Sequence, residues 1–127
     1  MPAVNAWEKE REERLSARMS RAKFIKAAGG VDAAIRNGDL PNHINTTVSE
    51  ALILGLLLQG VKKFIVVFGH GSTEIGEVLR VYQDAGLCRV FGVRSEVEAS
   101  HTAAALNWIC GEKPAVVTSI GPGALHA

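Results

Sequence analysis

Lys63-Phe64-Ile65-Val66-Val67-Phe68-Gly69-His70-Gly71-Ser72 is a short strand-forming run that stops abruptly at a Gly-x-Gly turn. A continuous apolar run, rather than an alternating one, marks a strand covered on both faces, as in a parallel sheet. Downstream, Ser72 or Thr73 is placed to cap a helix reaching residue 85, where Gly86 stops it, and residues 88–93 repeat the apolar pattern as a second strand. The spacing then predicts a third helix over residues 96–110 and a third strand over 114–118. Upstream, Thr47-Val48-Ser49-Glu50 has the capping-box spacing and opens a helix running to about residue 59, with Gly60 as its stop. Strands alternating with helices of this length indicate βαβ units, so the fold class is α/β with a parallel sheet flanked by helices.

The turn formers at Asn37-Gly38-Asp39-Leu40-Pro41-Asn42 separate this body from a charged leader, giving a helical arm or linker over residues 1–45 and an α/β unit over 46–127. Within the arm, residues 8–26 are rich in helix formers, with acids toward the start and Arg18, Arg21, Lys23 and Lys26 toward the end, as the helix dipole favours. Gly29-Gly30 ends that helix, and a second short one is expected over 31–36. The stripe of Leu15, Met19 and Ala22, with Phe24 or Ile25, is narrow, so the arm is expected to lie on a surface or on a partner.

The chain has 127 residues, the size of one small domain, with 47% hydrophobic and 21% charged residues and a net charge of +1. That balance offers no electrostatic case for nucleic acid or for an anionic membrane. The longest apolar run, residues 51–58, is interrupted by Gly55 and is too short to span a bilayer. Glu8, Glu10, Glu12 and Glu13 argue against a transit peptide, so a cytoplasmic location is expected. Cys88 and Cys110 match no metal or redox spacing and read as buried free thiols.

In parallel α/β sheets ligands sit beyond the carboxyl ends of the strands. Three loops should gather there: Gly69-His70-Gly71-Ser72, Arg94-Ser95-Glu96 and Ser119-Ile120-Gly121-Pro122-Gly123. Glycines let backbone approach a ligand closely, and Pro122 stiffens its turn. Gly69-x-Gly71 by itself is a weak phosphate-loop signal, lacking the third glycine and the Lys-Ser/Thr of known phosphate loops. Glu96 read alone is a first-turn acid favoured by the helix dipole. His101, alone on a helix, reads as a packing or hydrogen-bonding residue, whereas His70 at a strand end sits where a group titrating near neutral pH is useful.

Glu96, His101 five residues on, and a strand ending in Thr118-Ser119-Ile120-Gly121-Pro122-Gly123-Ala124 together resemble the pyrimidine-binding domain of thiamine-diphosphate enzymes of the acetolactate synthase type. The likeness covers about residues 46–127, the first part of the first domain of proteins several times longer. It implies that Glu96 is the cofactor-activating acid, sharing a proton with N1′ of the aminopyrimidine so that the 4′-imino group takes a proton from thiazolium C2. Gly121, Pro122 and Gly123 would shape the cofactor pocket, and Gly69, His70 and Gly71 would face substrate. Glu98 competes with Glu96, but it stands where the family has a small residue and is expected to face solvent.

Phe68-Gly69-His70-Gly71 departs from the Gly-Ile/Val-Pro-Gly of typical acetolactate synthases. With the residue inserted at Ile120, it looks more like the trihydroxycyclohexanedione hydrolases of inositol breakdown. Leu106-Asn107-Trp108 also departs from the family's usual Gly-Tyr-Ala. The implied activity is that of a lyase, transferase or hydrolase acting next to a carbonyl on a 2-oxo acid or a cyclic dione, in a homodimer or tetramer. The implied Mg²⁺ would be held by a diphosphate-binding domain, in cis or in trans, through a Gly-Asp-Gly…Asn motif that does not occur in this sequence. No residue of the chain itself is expected to ligate metal. The closing Gly-Pro-Gly-Ala-Leu-His-Ala reads as the opening of another helix, so a fragment or split subunit, inactive alone, is expected. A catalytically inactive cofactor-binding or regulatory subunit and an unrelated nucleotide-binding α/β domain are the alternatives.

Overall fold

The computed structural model describes residues 5–127. The elements run α1 (Ala6–Ala28), α2 (Val31–Arg36), α3 (Val48–Leu58), β1 (Lys63–Val66), α4 (Thr73–Asp84), β2 (Arg89–Gly92), α5 (Glu96–Cys110), β3 (Ala115–Val117) and α6 (Pro122–Leu125), with a single 3₁₀ turn over His70–Ser72. The three strands form one parallel sheet in the order β2-β1-β3, with Ile65 in register with Phe91 and with Val116. The α/β class with a parallel sheet is therefore observed. Each apolar run ends one or two residues earlier than its residue types suggest, because the ladder stops where the chain turns into the loops.

Successive strand residues point to opposite faces. Phe64 and Val66 enter the main core with Ile53 and Leu54 of α3, Val78, Leu79 and Tyr82 of α4, and Cys88. Ile65, equally buried, points to the other face, where α5 packs on β1 and β3 through Ala99. One helix covers that face, against a whole helical layer on the first.

The arm is part of the core. Gly29, with φ 89°, ends α1 in a left-handed cap, and its amide donates to the Lys26 carbonyl. Ala22 and Ile25 of α1, Val31 and Ala34 of α2, and Leu40 belong to the same apolar cluster as β1 and α4. Leu15, Met19 and Phe24, three members of the expected stripe, are exposed. The inward face is instead rotated toward Arg18, Arg21, Ala22 and Ile25. Two arginines hide that face from a reading of apolar spacing.

Glu50 explains why arginines can face inward. Its side chain is 1% exposed, and its carboxylate accepts from Arg18 Nε at 3.2 Å, from Arg21 Nε at 2.9 Å and Nη2 at 2.7 Å, from Tyr82 OH at 2.9 Å, and from Thr46 Oγ1. Burial alone would raise the pKa of this carboxyl. The hydrogen bonds from Arg21, Thr46 and Tyr82, with the Arg21 charge, outweigh that and hold it at about 2. The hydrogen bond to Glu50 in turn raises the pKa of Arg21. Half of the expected capping box forms: Thr47 Oγ1 accepts from the Glu50 amide at 3.3 Å, while the carboxylate turns into the core. One buried carboxylate thus ties α1, α3 and α4 together, and no buried side-chain polar atom among the described residues lacks a partner.

Cys88 is buried, and burial pushes its thiol up to about 11. Cys110 is exposed at the last turn of α5, contrary to the expectation, because the outer face of that helix is apolar yet uncovered. No helix among the described residues is long and apolar enough to cross a membrane.

Candidate functional site

Because the strands are parallel, their carboxyl ends share one edge, and the three loops meet there. Ladder bonds carry the strands into the loops: the Val67 amide donates to the Val117 carbonyl at 2.9 Å and the Val93 amide to the Val66 carbonyl at 3.1 Å. Beyond β1, the Ser72 hydroxyl, 2% exposed, accepts from the Gly69 amide at 3.1 Å and donates to the Gly69 carbonyl at 3.2 Å. Ser72 therefore serves as a clasp on the loop, and although it stands at the N-cap of α4, its side chain makes no cap bond to that helix.

The loops touch where side chains are missing. A methyl group built on Gly69 would overlap Ser119, and one built on Gly71 would lie 2.6 Å from Ile120 Cγ2. A methyl group on Gly123 would overlap Glu96 Oε1 and lie 3.1 Å from its Cδ. All three glycines stand at points of close approach, against Ser119, Ile120 and the end of the flexible Glu96 side chain respectively. Gly121 is required by its backbone, with φ 84° at the entrance to α6, where Pro122 takes the first helical position. The turn of Gly121, Pro122 and Gly123 thereby stands over the first turn of α5.

Two acids share that first turn and have separate duties. Ser95 caps α5, accepting from the Glu98 amide at 3.2 Å, and the Glu98 carboxylate reaches back to accept from the Arg94 amide at 3.1 Å. Glu98 is exposed and engaged with its own helix terminus. Glu96 is half-buried and directed at Gly123. The capping requirement is met without it, which leaves its carboxylate for another partner.

His70 and Gly71 are exposed in the 3₁₀ turn, on the loop that Ile120 contacts. His101 is exposed, and its Nδ1 lies 2.7 Å from the Val97 carbonyl one turn back on α5, a local hydrogen bond away from the three loops. No group of three or more His, Cys, Asp or Glu side chains among the described residues is placed to hold a metal ion.

A cavity of about 520 Å³ borders Gly69 on the side of α4 and β2, lined by Phe68, Thr73, Gly76, Arg80 and Val90 among others. The Phe68 ring forms one wall, and a methyl group on Gly76 would lie 3.3 Å from it. A larger hollow, about 630 Å³, lies between the start of α1 and α4, among Trp7, Arg11 and Arg80. Its arginines are largely engaged, Arg11 with Glu77 at 2.7 Å and Arg18 with Glu50.

Residue spacing singled out Glu96, Gly69, His70, Gly71, Gly121, Pro122 and Gly123, and the fold brings all seven to one edge. It did not single out Ser72 as a loop clasp or Ser119 as the neighbour of Gly69. A serine three residues after a loop glycine is the sequence signal for the first, and the same position equally fits a helix cap. Comparison with protein-family models, with curated proteins and with solved structures found no match.

Proposed function

We propose that this chain is the pyrimidine-binding part of a thiamine-diphosphate enzyme related to acetolactate synthases, making or cleaving a carbon–carbon bond next to a carbonyl. The observation that carries this reading is the pairing of Glu96 with Gly123: a half-buried carboxylate, released from capping duty by Glu98, set against a Gly-Pro-Gly turn with no side chain in the way. Those residues suit the aminopyrimidine, which needs an acid beside N1′ and a wall of bare backbone.

Bound thiamine diphosphate would supply the electron sink for carbanion chemistry. Glu96 would hold the proton shared with N1′ at its carboxylate. Gly121, Pro122 and Gly123 would support the ring, and Gly69, His70 and Gly71 would face a 2-oxo acid or a cyclic dione. Mg²⁺ and the diphosphate would be held by a separate diphosphate-binding domain, in cis or in trans, so this chain alone would bind the cofactor weakly.

Within that reading, one contact favours a cyclic-dione hydrolase over an acetolactate synthase. Ile120, the inserted residue, fills the space left by Gly71 and so becomes part of the support of the His70 loop. The insertion and Gly-His-Gly thus behave as one unit.

The test is a thermal-shift comparison of the wild type and Glu96→Gln with thiamine diphosphate and Mg²⁺, with thiamine, and with a purine nucleotide. Protection of the wild type by both thiamine compounds, lost in Glu96→Gln, is the expected result. Equal protection of the variant removes Glu96 from the site, and protection by the nucleotide alone replaces the reading with a nucleotide-binding domain.

A further inference from the structure

The buried ion cluster of α1 and α3 is unequal in charge. Two guanidinium groups, those of Arg18 and Arg21, share the single carboxylate of Glu50, and the three side chains are 7%, 15% and 1% exposed respectively. One positive charge is therefore left over in a region poorly reached by water, where an unpaired charge is costly. Glu50 has no capacity to take it up. Its Oε1 already accepts from Arg21 Nε and Tyr82 OH, and its Oε2 from Arg18 Nε, Arg21 Nη2 and Thr46 Oγ1. Both terminal nitrogens of Arg18, and Nη1 of Arg21, donate to no group among the described residues.

Those nitrogens are not sealed in. No fully buried side-chain polar atom among the described residues lacks a partner, so the unpartnered ends of Arg18 reach open space, which they find in the two hollows that Arg18 borders. The smaller of these, about 380 Å³ between α1 and the start of α3, is bordered by Arg21 as well. Arg14, Arg18 and Arg21, spaced four and three apart, form one stripe of α1 along it, and Asn45, Thr46 and Thr47 line it from the segment that enters α3.

We propose that this hollow binds a small monocarboxylic acid, its carboxylate held end-on by Arg18 with Arg21 beside it. With Nε of Arg18 engaged by Glu50, the edge formed by Nη1 and Nη2 remains as a planar pair of donors, which matches the two oxygens of a carboxylate. One negative charge completes the cluster. The rim sets the upper limit on charge: Glu10 is held by Arg14 at 3.2 Å, but Glu13 is an exposed acid without an ion pair among the described residues. A phosphate dianion or a polyanion would be repelled there, whereas a monoanion gains more from the buried guanidinium than it loses to a solvated acid. A hollow of this size admits a short-chain acid, and Asn45 and Thr47 supply polar groups for a hydroxyl or carbonyl on it. None of these residues belongs to the three loops around Glu96, so the site is separate from the one proposed for thiamine diphosphate.

The test is a titration of the whole chain with sodium acetate against sodium chloride at constant ionic strength, without thiamine diphosphate, read at the Nε–H NMR signals of Arg18 and Arg21. A saturable shift with a midpoint on the order of a millimolar is expected, within the limit for so small a ligand. Arg18→Met leaves Glu50 with Arg21, Tyr82 and Thr46, so the far-UV circular dichroism should be unchanged while the midpoint, read at Arg21, rises by about tenfold or more. Glu13→Gln keeps both arginines and removes the rim charge, and should tighten acetate binding about threefold. Inorganic phosphate in its dianionic form should bind the wild type more weakly than acetate does. Shifts that grow without saturation overturn the inference, as does an unchanged midpoint in Arg18→Met or phosphate binding tighter than acetate.

Discussion

The carboxylate of Glu96 occupies the place that a side chain on residue 123 would take. The two residues belong to different βα units, and the contact between them joins the loop after β2 to the turn after β3. Gly123 is not held in a left-handed conformation, so its backbone tolerates alanine, and what alanine would displace is the end of a flexible acid. Gly123→Ala should therefore change stability by less than about 1 kcal/mol. The same substitution should weaken thiamine diphosphate protection about tenfold, about 1.4 kcal/mol, by moving Glu96. Paired chemical denaturation and calorimetric titration separate the two effects, and an unaltered titration would detach Gly123 from the cofactor site.

Gly71 and Ile120 form a second contact of this kind, against a branched side chain with less room to move. Gly71→Ala should cost about 1–3 kcal/mol, the usual range for overpacking. Ile120→Ala opens the space, so the double variant should recover part of that loss. A double-mutant cycle in urea measures the coupling. Strict additivity would mean that the two loops are not in contact in solution.

Glu50 should be the most sensitive position in the chain. Glu50→Ala leaves Arg18 buried without its carboxylate, and breaking a buried pair in this way costs about 3–5 kcal/mol. Melting of the variant against the wild type reads the loss.

The same residue sets an acid limit. The folded pKa of Glu50, about 2, lies below its ordinary 4.5, so the ionised form is favoured in the fold. Its contribution is fully present above pH 4.5 and is lost as pH falls toward 2. The shift corresponds to about 3 kcal/mol. A stability profile over that window should slope in the wild type and flatten in Glu50→Gln.

Cys110 and Cys88 should differ sharply toward a thiol reagent at neutral pH. Cys110 is exposed and should react at once, while Cys88, buried and with its thiol raised to about 11, should react only on unfolding. Counting modified thiols with and without denaturant checks this, and two thiols reacting at the same rate in the native protein would contradict the packing of β2 against α4.

Local residue types were enough to place the elements. The bounds of α5 and α2 match the spacing of their caps, and the Gly-x-Gly and Gly-Pro-Gly turns fall at the strand ends, because caps, breakers and short apolar runs act within a few residues of themselves. Parallel strands then bring their carboxyl ends to one edge, so the gathering of the Glu96, His70 and Gly121 loops was legible from the alternation of helix and strand. Only the tertiary structure decided what each acid does. By spacing alone Glu50 is a capping-box residue and Arg18 a dipole-favoured base of the arm, and the fold brings them together across 32 positions of sequence. Glu96 and Glu98 were separated by the same means, one turned back to its own helix end and the other toward Gly123. Such contacts lie between residues far apart in the chain. Burial, with the loss of water that makes a paired charge worth keeping, has no signature in the spacing of either partner.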